Sequence, residues 1–142
     1  MKNATQRAMR KMSGLVLLTF AEYVNRIVES QIEWEPGQNG RWDVTCLEDG
    51  TPRIAFSGFA EGTVLTLHSL NGNTVKLGPE AAALAISQCA MNWATFHAFE
   101  QERHDLGRQA DGFFCRLTFH IFHSRKSGVT SDEKLLIFRF NT

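Results

Sequence analysis

The chain has 142 residues and is 43% hydrophobic, enough for one domain, 1–142, that buries roughly two-thirds of its unfolded surface without disulfide or metal staples. Its 15 Lys and Arg balance 15 Asp and Glu, which argues against a strongly basic nucleic-acid binder and equally against an acidic imitation of DNA. Cys46, Cys89 and Cys115 are odd in number and widely spaced, so they read as buried small hydrophobes of a reducing compartment, not as a disulfide framework.

Lys2, Arg7, Arg10 and Lys11 precede the apolar run Gly14–Ala21. No apolar run reaches the roughly 20 residues that cross a bilayer, so a soluble protein with no membrane partner is expected. Phe20, Tyr23, Val24, Ile27 and Val28 recur at helical spacing. They predict a helix from about Leu15 to Ser30, with 1–13 as a flexible basic arm and not a secretory signal. Trp34 follows, flanked by Glu33 and Glu35 and standing just before the loop Glu35–Gly40. If exposed it is a candidate partner contact; the competing reading has it covering the edge of the core.

Arg41–Leu47 alternates Trp42, Val44 and Cys46 against Asp43 and Thr45, which predicts a strand. Glu48-Asp49-Gly50 supplies a turn, and Pro52–Ser57 forms the next strand around Ile54 and Phe56. Asn71-Gly72 predicts a type I′ turn between Val64–His68 and Thr74–Leu77. Pro79 then opens a helix at a position where its missing N–H costs nothing, with Glu80 beside the positive end of the helix dipole. The stripe Ala82, Ala85, Ile86, Cys89, Trp93, Phe96 and Phe99 predicts a long core helix to about Arg108.

From Phe113 to His123 the residues Phe113, Cys115, Leu117, Phe119 and Ile121 alternate with polar ones, which predicts a strand. With Lys134–Phe140 as its partner and Ser124–Glu133 between them, the C-terminus reads as a β-hairpin, or else a short helix. The fold class is α+β: an antiparallel meander packed against the N-terminal helix and the long central helix.

Chemistry-bearing residues do not gather in this pattern. His97 and His104 would lie two helical turns apart, over roughly 10 Å, too far to share a zinc ion comfortably. His120 and His123 converge only on a helix. Each cysteine sits on an apolar face and none in a glycine-flanked elbow. Gly58–Gly62 lacks the Lys and the following helix of a phosphate loop. No enzyme activity, catalytic residue, cofactor or metal is expected.

Three blocks in order resemble the KlcA/ArdB family of antirestriction proteins: the helix around Phe20–Ser30, the segment Gly40-Arg41-Trp42 through Leu47-Glu48-Asp49-Gly50, and Asn71-Gly72-Asn73 followed by Gly78-Pro79-Glu80-Ala81-Ala82. The likeness covers roughly residues 20–102. It implies a small cytoplasmic protein, carried on plasmids or other mobile elements, that relieves type I restriction of incoming DNA. Such a protein is an inhibitor whose partner is the host restriction-modification complex, met directly or indirectly. With zero net charge it would act by a route other than DNA mimicry. Two features depart from the family pattern. Asp49 stands where the family shows an Asn-Gly pair, which makes Asp49 a second candidate contact beside Trp34, and the C-terminal alternation predicts strands where the family is helical. Those departures leave an alternative, a protein-binding module of a mobile element acting on another host target.

Overall fold

The computed structural model describes residues 2–38 and 40–142, with side chains described from Gly14 onward. A first helix, α1 (Lys2–Ser30), buries Phe20, Val24 and Ile27, the stripe that the periodicity marks. Its backbone is helical from Lys2, so α1 is longer than the expected Leu15–Ser30 span. Met1 and the side chains of the 1–13 stretch lie outside the described residues. Strands β1 (Ile32–Glu33), β2 (Arg41–Cys46), β3 (Pro52–Ser57), β4 (Leu65–His68) and β5 (Thr74–Leu77) follow. Helices α2 (Pro79–Glu100), α3 (His104–His123) and α4 (Ser131–Asn141) complete the chain, with a 3-10 turn at Arg125–Ser127. The fold is α+β.

The strands form two antiparallel sheets: β1-β4-β5, and β2 with β3 alone. In the first, Leu65, Leu67, Val75 and Leu77 point into the core while Thr74 and Lys76 face out, the period-two alternation of a half-buried sheet. The short β1 pairs Ile32 with Leu67, and the His68 amide donates to the Gln31 carbonyl at 2.7 Å.

Both hairpin loops have one geometry. In Leu47–Thr51 the Gly50 amide bonds back to Leu47 O at 2.9 Å, and the Leu47 amide to Thr51 O at 2.8 Å. In Ser69–Asn73 the Gly72 amide bonds to Ser69 O at 3.1 Å, and the Ser69 amide to Asn73 O at 2.8 Å. Gly50 and Gly72 are left-handed, with φ of 87° and 91°, whereas Asn71 is not. The expected type I′ turn at Asn71-Gly72 is therefore replaced by a longer loop. It needs positive φ at the glycine alone, which places the reversal one residue earlier in the chain.

Helix α2 is the axis of the molecule. Every residue from Ala81 to Gln88 is buried, because α1, β3, the three-stranded sheet, α3 and α4 all pack on it and the alanines let them come close. Further along, the expected stripe opens to solvent: Phe96 and Phe99 are exposed. The helix also ends sooner than the predicted Arg108. Glu102 adopts a left-handed φ of 57°, and the Arg103 amide closes back onto Ala98 O at 2.8 Å. Gly107 then lies against the Phe99 ring, where an added Cβ would come within 2.8 Å, so a side chain there would push α3 off α2.

The predicted C-terminal hairpin is overturned, since Phe113–His123 belongs to α3 and Lys134–Phe140 to α4. The segment is apolar at neighbouring positions, so it satisfies both periods. Packing on α2 selects Ala110, Leu117 and Ile121 as the buried face and leaves Phe119 and Cys115 outside. Helix α4 starts at a capping box that the alternation obscures: Thr130 Oγ1 accepts from the Glu133 amide at 3.2 Å, and the Thr130 amide donates to Glu133 Oε1 at 3.1 Å. Among the described residues no helix is long and apolar enough to cross a membrane.

Candidate interaction surface

The β2–β3 hairpin is the least embedded part of the sheet structure. Strand β3 carries it: Ile54 is fully buried against α2, and its amide donates to Ser87 Oγ at 2.9 Å. Ser87 in turn donates to Ala83 O at 2.7 Å, so one buried hydroxyl anchors the hairpin to the helix. Strand β2 lies outside β3, with Arg41 and Asp43–Cys46 exposed.

The two candidate contact residues sit at opposite ends of this hairpin. Trp34 is at its open end, half-buried, stacked 6.3 Å from Phe59 with Phe56 edge-on at 6.5 Å. Its Nε1–H donates to Val28 O at 3.3 Å, and its ring fills the space beside Gly40, where a Cβ would collide with it. Trp34 thus ties α1 to the hairpin. Asp49 is at the tip and exposed, its Oδ1 accepting the Thr51 amide at 3.0 Å. The Thr51 hydroxyl and amide hold its carboxyl below the usual range, with Arg116 adding to the effect.

Between the hairpin tip and α3 lies a cleft of about 580 Å³. Three cations, Arg53, Arg116 and Lys126, and three carboxylates, Glu48, Asp49 and Glu80, line it. Arg53, only 11% exposed, pairs with Glu80 at 2.6 Å and donates through Nε to Ile54 O at 3.0 Å. Lys126 bonds Glu48 at 2.8 Å and holds that carboxyl below the usual range. His120 faces Arg53, Glu80 and Asp49. Desolvation and the Arg53 charge push its pKa down, against the opposite pull of the two carboxylates.

Arg116 and His120, four residues apart on one face of α3, enter this cleft together. His120 and His123 do not converge. His123 packs on Phe119 at 5.5 Å and lines a different pocket, beside α4. His97 and His104 lie on separate helices. Among the described residues no three His, Cys, Asp or Glu side chains are placed to hold a metal ion. Cys46 and Cys115 are exposed, contrary to the buried reading, because β2 is an outer strand and Cys115 falls on the solvent side of α3. Cys89 is half-buried and its thiol is pushed up to about 12 by burial, which keeps it protonated. Trp93, on the predicted stripe of α2, meets Tyr23 of α1 edge-on at 5.5 Å.

No protein-family model matches this chain, and no curated protein matches it.

Proposed function

We propose that this chain is an antirestriction protein that relieves type I restriction of incoming mobile DNA through protein contacts, without imitating DNA. What supports the reading is the cleft at the hairpin tip. It holds three cations and three carboxylates, and Arg53–Glu80 and Lys126–Glu48 are paired, so it offers neither a phosphate-like row of negative charge nor a basic track for a duplex. A mixed-sign surface of this kind suits a protein partner whose charges interleave with it. The resemblance to the KlcA/ArdB family adds to this, since the helical C-terminus removes one of the two departures from the family pattern. The other departure is small in its effect on the backbone, because Asp49-Gly50 builds the same loop as Asn71-Gly72.

The test is the plating efficiency of unmodified phage on bacteria with a type I restriction system, with and without the protein, with modification assayed in the same cells. Restored plating with modification intact is the expected result. Asp49→Lys, a change at an exposed tip, is expected to reduce the relief while leaving the circular dichroism spectrum unchanged. Unchanged plating in cells containing folded protein overturns the restriction reading and leaves the alternative of another host target.

A further inference from the structure

The outer edge of β2 is an open backbone template. The Ile54 amide points at Ser87, away from β2, so its pair with Val44 is a non-hydrogen-bonded one. The Leu47 amide bonded to Thr51 O puts the odd-numbered residues in the hydrogen-bonded pairs, which agrees. The N–H and C=O groups of Trp42, Val44 and Cys46 therefore point outward, and among the described residues nothing accepts or donates to them. Among the described residues no proline or bulge interrupts this edge, and Arg41 and Asp43 are the charges it carries. Beside it runs an apolar strip in which Leu15, Leu17 and Leu18 of α1 join Val44, with Leu18 66% exposed.

We propose that this edge pairs with β2 of a second copy of the chain, antiparallel about a two-fold axis, to make a four-stranded sheet. Charge selects the occupant and the register. The outward groups permit pairing centred on Trp42, Asp43, Val44 or Thr45, and centred on Thr45 Asp43 meets only Leu47. Centred on Asp43, the two Asp43 carboxylates would face each other; centred on Val44, Asp43 meets only Thr45. Centred on Trp42, the two β2 strands overlap at 41–43 with Val44 opposite Gly40, and Arg41 of each copy faces Asp43 of the other, twice over, in a non-hydrogen-bonded pair where cross-strand side chains are closest. Such an isologous contact is closed, so it ends at two copies and does not grow into a fibre.

Sedimentation equilibrium of the full chain over a concentration series tests this, with circular dichroism confirming that each variant folds. A monomer–dimer equilibrium is expected. Arg41→Asp and Asp43→Arg each place like charges opposite one another and weaken the dimer about tenfold, while the double variant R41D/D43R restores it. A monomer at every concentration overturns the proposal. So does a dimer indifferent to these charges that Leu18→Glu abolishes, which would place the contact on α1 alone.

Discussion

The two hairpins are built from one local plan and end in opposite situations. Leu47-Glu48-Asp49-Gly50-Thr51 and Ser69-Leu70-Asn71-Gly72-Asn73 close with the same pair of backbone bonds and the same left-handed glycine. Yet β4–β5 sends Leu65, Leu67, Val75 and Leu77 into the core, whereas β2 is exposed along most of its length. Turn chemistry therefore makes a hairpin, and burial depends on what faces it. The β4–β5 hairpin gains β1 along one edge, and the Asn73 side chain donates to Arg139 O of α4 at 2.9 Å. The β2–β3 hairpin has α2 behind β3, Trp34 at its base and the Lys126–Glu48 pair at its tip.

Substitutions can break this contrast or sharpen it. Leu67→Ala, at a fully buried site in β4, is expected to cost about 2–5 kcal/mol in urea unfolding. Val44→Ala, on the exposed strand, should stay within about 0.5 kcal/mol. Comparable costs at the two sites would show that β2 is as embedded as β4. Removing the anchor comes next: Ser87→Ala strands the buried Ile54 amide and should cost about 1–3 kcal/mol. Amide hydrogen exchange in that variant should rise in β3 and leave β4 and β5 protected. Gly40→Ala drives a methyl group into the Trp34 ring and is expected to cost about 1–2 kcal/mol. An unchanged melting temperature in that variant would mean that the base of the hairpin yields freely.

The smallest effect is electrostatic. His120 has a folded pKa below its unfolded one, so its contribution is intact above the ordinary imidazole range of about 6.5 and is lost as pH falls through the lower folded value. Urea midpoints across that window should decline less steeply in His120→Gln than in the parent chain. Equal slopes would show that the groups around it, Arg53, Glu80 and Asp49, leave its titration unperturbed.

Asp49 was legible in the sequence as a turn residue, and Trp34 as an aromatic that either covers the core edge or meets a partner. Its contacts with Phe56, Phe59 and Gly40 set it at the base of the β2–β3 hairpin, half-buried. The cleft itself was not legible, because Arg116 and His120 reach it from a segment whose alternation imitates a strand. Thr130-Ser131-Asp132-Glu133 was the overlooked signal: a capping box ahead of Lys134 announces α4, and a helix there leaves the alleged strand without its partner.

By itself the sequence determined the elements whose signal is local: the amphipathic stripe of α1, the four main strands with their turn glycines, and the start of α2 at Pro79. Only the tertiary structure decided what competes over distance. It broke the long helix at Glu102, split the strands into two sheets, and made the Phe113–His123 segment a helix. The reason is physical. A dense run of apolar residues fits a period of two and a period of 3.6 alike, and the choice falls to whichever face can be buried against a neighbour, here the alanine-lined flank of α2.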